Sequence, residues 1–231
     1  MRDSGGRLTG VKASHGAVGH AVSVAVSGPE KTMRPTDILS AEHRVIEQVL
    51  DCLDAIATRA EQKGRLCATD ASDALEFFVN FSDKCHHGKE ENLLFPAMER
   101  RGLSQNEGPT AVMRNEHMIG RNHVTAMKSS LDAAAEGDAA ALKTFVIEAR
   151  GFARMLREHI QKEDHCLFGM ANSLLTAEEQ TALLVAFEEV ELHKMEPGLH
   201  QRMLDLARVL SQRNQIPFRT TDGVDSCCCS R

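Results

Sequence analysis

Two stretches of the chain decide its fold when one is laid over the other: Cys85-His86-His87-Gly88-Lys89-Glu90-Glu91-Asn92-Leu93-Leu94-Phe95 and Glu158-His159-Ile160-Gln161-Lys162-Glu163-Asp164-His165-Cys166-Leu167-Phe168. At an offset of 73 residues His86 meets His159, Glu90 meets Glu163, and Leu94-Phe95 meets Leu167-Phe168. Upstream, Glu42-His43 and Glu116-His117 repeat at an offset of 74. Each half therefore reads His, then a helix later His-x-x-x-Glu, then Leu-Phe, which marks an internal duplication. A His and a Glu four residues apart on a helix project from the same side, so each such pair can serve one metal site.

Outward from these motifs the apolar residues keep helical spacing. Leu39, His43, Ile46, Leu50 and Leu53 share one face of a first helix that starts near Pro35 and breaks at Lys63 and Gly64. Leu75, Val79, Ser82, His86, Glu90 and Leu93 form the inner face of a second, which stops near Pro96 and Gly102. A third runs from Pro109 to Gly137 with Met113, His117, Gly120, Val124, Met127 and Leu131 inward, and a fourth carries Leu142, Phe145, Ala149, Phe152, Leu156, His159 and Glu163. The spacing predicts an all-α fold, an up-down-up-down four-helix bundle over residues 35–172. Thr176 with Glu179 signals a capping box for a C-terminal helical extension over 173–213, interrupted at Pro197 and Gly198. Residues 1–34 and 214–231 read as flexible tails.

Composition narrows the function classes. The net charge of -6, with both signs mixed along the chain, argues against a nucleic-acid surface. No apolar run reaches the ~20 residues needed to span a bilayer, and Ala21 to Val26 is too short and too late for a signal sequence, so the expected location is cytoplasmic. The seven cysteines do not form the spaced framework of a secreted scaffold. Cys85 and Cys166 are expected as small buried residues, while the adjacent thiols Cys227, Cys228 and Cys229 invite metal capture, oxidation or acylation. With no tyrosine in the chain, a tyrosyl radical or phenolate ligand is excluded.

The six duplicated residues His43, His86, Glu90, His117, His159 and Glu163 all fall on inward stripes. A lone histidine on an apolar helix face is more often a hydrogen-bonded core residue than a ligand. Six ionisable groups buried together are costly unless compensated, and a pair of metal ions compensates all of them at once. Nitrogen and oxygen donors without cysteine suit iron, or manganese, better than structural zinc. His87 and Glu91 also stand four apart and offer an alternative register; the Leu-Phe pairs favour His86 and Glu90. His87 lies about 100° round the helix from His86, which leaves it as a possible extra ligand, with an edge or solvent position the preferred expectation. His123 and His165 are expected at the surface or boundary, His193 and His200 as structural residues of the extension, and Glu188, Glu189 and Glu191 as a solvated face.

The motifs Ala41-Glu42-His43-Arg44, Cys85 to Pro96, Asn115-Glu116-His117 and Glu158 to Glu163 resemble those of the hemerythrin-like family, the HHE cation-binding domain, over residues 36–172. The resemblance implies a non-haem di-iron centre in a four-helix bundle, with the six residues above as direct ligands. Oxygen-carrying members place a second histidine four residues after the third-helix ligand, where this chain has Arg121. The departure points toward oxygen- or iron-sensing domains, with Arg121 expected to pair with a carboxylate such as Glu42 or Glu116. The first function expected is binding or sensing of oxygen or a related small molecule. Reduction of peroxide or nitric oxide and the handling of iron are the alternatives, each with a small diatomic or peroxide ligand or the metal itself as partner.

Overall fold

The computed structural model of the chain describes residues 33–217 apart from Met195, and the side chains of His193 and Lys194 also fall outside the described set. Nearly all of the two expected tails, Cys227, Cys228 and Cys229 included, lies outside it too. Among the described residues every element is helical and no strand occurs.

α1 (Pro35–Lys63) begins with a proline where no N–H is needed, and the Asp37 carboxylate accepts the Arg34 N–H at 2.9 Å. Gly64, at φ 65°, supplies the left-handed cap that ends it. A second helical run joins α2 (Ala68–Phe77), two π-wound segments, Phe78–His87 and Glu90–Leu94, and α3 (Phe95–Arg100). α4 (Pro109–Glu136) ends at Gly137, and Asp138 caps α5 (Ala139–Lys162) by accepting the Ala141 N–H at 2.7 Å. A third π-wound segment, Glu163–Leu167, leads into α6 (Phe168–Leu174). α7 (Ala177–Glu189) opens on the Thr176–Glu179 capping box, and beyond a π-wound segment, Val190–Lys194, α8 (Leu199–Asn214) resumes after Pro197 and Gly198.

α4 and α5 share the most extensive interface; α1 packs on α5 and α8, and α2 on α4 and α8. The apolar interior is divided in two. One cluster gathers Ile46, Leu50 and Leu53 of α1 with Phe78, Phe81, Met127, Phe145, Phe152, Leu156 and Ile160, and α8 adds Met203, Ala207 and Leu210. The other gathers Leu39, Leu94, Phe95, Met98, Met113, Leu167 and Phe168, covered by Leu183 and Phe187 of α7. Along each long helical run the inward ionisable residues fall between a residue of one cluster and a residue of the other, so a buried polar layer separates them.

The second run departs from the expected stripe. Val79 and Leu93 are only half-buried, while Phe77, Phe78, Phe81, Leu94 and Phe95 fill the core. Bonding from i to i+5 widens each turn, so the three-and-four rhythm of an α-helix misplaces the inward positions there. Cys85 is buried as expected but Cys166 is exposed, because Glu163 and Leu167 occupy the inward positions of its turn. No described helix is long and apolar enough to cross a membrane.

Candidate metal centre

The six duplicated residues converge in the polar layer, and none is more than 1 % exposed. His43 comes from α1, His86 from the end of the first π-wound segment, His117 from α4 and His159 from α5. Glu90 and Glu163 each open a π-wound segment of the same length, 5 residues, so the duplication extends to an unusual backbone conformation. Such segments persist mostly where a functional arrangement requires them.

His87 is the correction. It is 5 % exposed, and its ring stacks on that of His117 with centroids 3.7 Å apart. The wide π turn brings His86 and His87 to the interior together, where an α-helix would have separated them. Its counterpart 73 residues on is Ile160, so the repeat carries no trace of it. Glu91, the alternative carboxylate, sits outside the centre.

The donor atoms form two groups, His43, His86, Glu90 and Glu163 in one and His87, Glu90, His117 and His159 in the other, each with its atoms within 4.8 Å of one another. The carboxylates of Glu90 and Glu163 span both. Glu163 sets one oxygen 3.2 Å from His43 Nε2 and the other 3.3 Å from His159 Nε2. Glu90 sets its oxygens 3.6 Å from His86 Nε2 and 3.5 Å from His117 Nε2. All four of these oxygens are buried without a hydrogen-bond partner, as are His43 Nε2 and both ring nitrogens of His87. Buried polar atoms are rarely orphaned, and so many aimed at one point fit cations placed between them.

Four of the imidazoles are oriented from outside by carboxylates. Asp164 lies 2.9 Å from His43 Nδ1, Glu42 2.9 Å from His86 Nδ1, Glu91 2.7 Å from His117 Nδ1 and Glu116 2.8 Å from His159 Nδ1. An acceptor there selects the tautomer with Nδ1 protonated and leaves Nε2 as a donor to the centre. Asp83 stands 3.5 Å from His87 Nδ1. Arg121 pairs with Asp83 at 2.8 Å and Glu91 at 2.9 Å, not with Glu42 or Glu116, and so acts on His117 through Glu91. The repeat also carries the outer set: Glu42 and Glu116 share the offset of 74, Glu91 and Asp164 that of 73, and Lys89 and Lys162, which bind Glu42 and Glu116, that of 73 as well.

Electrostatics follow from burial. Burial, then the Glu163 charge, pushes Glu90 well above the usual carboxylate range. Burial works the same way on Glu163, but His159 and His43 outweigh it and hold that carboxyl well below. Burial also drives His86 down to about 4, whereas for His159 it is overcome by Glu163 and Glu116, which raise the group to about 9. Without metal the centre therefore keeps protons where cations would stand.

A cavity of about 150 Å³ reaches the second group alone. Its walls include Phe78, Val79, Val124, Phe152 and Met155, and it ends on His87, His117 and His159 with Asp83, Arg121 and Lys128 along it. Gly120 keeps this space open, since a Cβ there would stand 3.2 Å from Met155 Cε. Of the other described histidines, His123 pairs with Glu148 at 2.6 Å, His165 is exposed and His200 lies 3.8 Å from Glu42, while His15, His20 and the side chain of His193 lie outside the described residues.

Helical throughout its described residues, with buried histidines and carboxylates that could hold metal ions, the chain has the build of a cation-binding protein. Residues 34–171 match the hemerythrin HHE cation binding domain, and the chain belongs to that family. Uncharacterized proteins of Mycobacterium bovis and of two strains of Mycobacterium tuberculosis are each 25% identical to it over 182 residues, 79% of this chain and 68% of theirs. No solved structure matches it significantly.

Proposed function

We propose that the chain is a non-haem di-iron protein that binds or senses oxygen or a related small molecule. His43 and His86 would hold one ion, His87, His117 and His159 the other, with Glu90 and Glu163 bridging. Nitrogen and oxygen donors favour iron, with manganese as the alternative. The metal unit spans residues 35–172 as an up-down-up-down bundle. Successive long helical runs enter the polar layer from alternate apolar clusters, from Leu39 to Ile46, Phe81 to Leu94, Met113 to Met127 and Leu156 to Leu167, as that topology requires. Residues 173–213 are its extension.

The observation that carries this reading is the set of buried donor atoms without partners, with a cavity against the group of His87, His117 and His159. Iron held there would supply the redox chemistry and a place for a small ligand. The apolar walls exclude bulk water and admit a small ligand, His117 is steadied through Glu91 by Arg121, and Glu116 at the rim fixes the His159 Nδ1 proton. Asp83 and Glu116, both lining the cavity, could also pass protons inward, which keeps the reduction of peroxide or nitric oxide as the second reading.

Metal content and the absorption spectrum of anaerobically reduced protein, before and after oxygen, test this. Two irons per chain and an oxygen-dependent band that reverses on deoxygenation support binding. Sustained peroxide loss supports the second reading, and one iron or none after full reconstitution overturns both.

A further inference from the structure

Behind His86, away from the cavity, lies a second buried ionic cluster. Lys89 is fully buried, and its ammonium is bound by Glu42 and by Glu191 of the segment Val190–Lys194. The ring of Phe187 on α7 lies 5.7 Å from it, and His200 of α8 places Nε2 3.8 Å from Glu42 and 4.0 Å from Glu191. Glu191 is therefore not part of a solvated face with Glu188 and Glu189, which are exposed as expected. Glu42 is the carboxylate that accepts from His86 Nδ1. The repeat provides the internal control. Lys162 and Glu116 make the equivalent pair behind His159, but the Lys162 side chain is 45% exposed, and nothing from α7 or α8 is among its hydrogen-bond or ion-pair partners.

We infer that Lys89 and Glu191 are positioning residues for the metal site of His43 and His86: the C-terminal segment fixes Lys89, Lys89 fixes Glu42, and Glu42 sets the orientation and donor strength of His86. This rests on the two-metal reading above. The chain of contacts is continuous from Glu191 to the His86 ring and consists of charged groups shielded from water, where a change in one is felt by the next. Outer partners of metal-bound histidines are worth about 10–100-fold in metal affinity. Linkage is reciprocal, so filling that site must also hold the segment 190–214 more firmly.

Co2+ titration of the full chain, followed by ligand-field absorption and by calorimetry, tests this. Wild type should take up two ions. Glu191→Gln, which keeps the shape but removes the charge, and Lys89→Met should each weaken one ion by about 10–100-fold and shift its absorption band, leaving the other within about threefold. Lys162→Met, at the exposed equivalent, should leave both within about threefold. Amide exchange over 199–214 should slow on Co2+ loading in wild type but not in Glu191→Gln. If Lys89→Met does not fold, Glu191→Gln decides alone. Two ions in wild type with unchanged affinities and bands in Glu191→Gln would overturn the positioning role, as would equal weakening of both ions. Failure of wild type to bind two ions would instead overturn the two-metal reading.

Discussion

The first half of the repeat, residues 35–100, and the second, residues 109–174, present the same donors to the centre and different faces to the rest of the molecule. His43 and His117, His86 and His159, Glu90 and Glu163 are equivalent pairs, down to the π turn that each glutamate opens. Yet His87 in the first half stands where Ile160 is in the second, and Lys89 is buried under the C-terminal segment where Lys162 reaches solvent. The cavity runs to His87, His117 and His159 and misses His43. Duplication thus accounts for the donors that could hold metal, and the departures from it account for which of them the cavity reaches.

Removing a donor shared by both halves should have the largest effect. Glu163→Ala deletes the oxygens that face His43 of one group and His159 of the other, and metal analysis after reconstitution should find fewer than two ions, with affinity falling by more than the ~100-fold typical of outer partners. Retention of two tightly bound ions would leave Glu163 without a bridging role. Making the halves alike is the next test. His87→Ile copies Ile160, removes an imidazole from the group that meets the cavity, and should cost the ion there at least ~10-fold while the His43 and His86 ion stays. The same change removes ring nitrogens buried without hydrogen bonds, so the metal-free protein should gain about 1–3 kcal/mol in denaturant unfolding. If His87→Ile lowers metal-free stability, the ring is serving the core and not the centre.

How far the chain discloses all this depends on what repeats. Helix bounds at Pro35, Gly64, Pro109 and Gly137 follow from backbone chemistry and are legible, as is the capping box at Thr176. The six inward residues are legible because the repeat picks four of the 11 histidines and two glutamates with them. His87 is legible only as a possible extra donor, for two physical reasons: Ile160 hides it from the repeat, and a π turn is invisible to a reading that assumes 3.6 residues per turn. The same assumption misplaces Val79 and Leu93. Arg121 illustrates a different shortfall. Its need for a carboxylate is evident from its position beside the ligand helix, but Asp83 and Glu91 come from another helix, and pairing across helices is set by packing that no local pattern encodes.

The cavity offers a smaller perturbation. Gly120→Ala brings a methyl group to 3.2 Å from Met155 Cε and 3.5 Å from Phe152, contacts that the flexible end of Met155 can relieve. Removing a glycine from a helix interior is worth up to ~1 kcal/mol, so thermal stability should hold or rise slightly. Metal content should be unchanged, while stopped-flow mixing of the reduced, loaded protein with oxygen should show slower reaction. An unchanged rate would mean that ligands reach the centre by another path.

The finest contrast between the halves is in their protons. His86 and His159 are equivalent in the repeat, but burial pushes the first down to about 4, and Glu163 with Glu116 raises the second to about 9 against burial, from an ordinary value of 6.5 for both. Between pH 6.5 and about 4 the unfolded chain binds a proton that folded His86 refuses, so stability rises with pH across that window. Between 6.5 and about 9 folded His159 holds a proton that the unfolded chain has lost, so its contribution is complete below 6.5 and disappears as pH climbs through 9. Metal-free protein followed by urea unfolding should therefore lose the His159 contribution as pH climbs from 6.5 through about 9. Metal displaces the His159 proton, so in loaded protein the alkaline decline should be lost. An alkaline decline of equal size with and without metal would show that His159 is not a ligand.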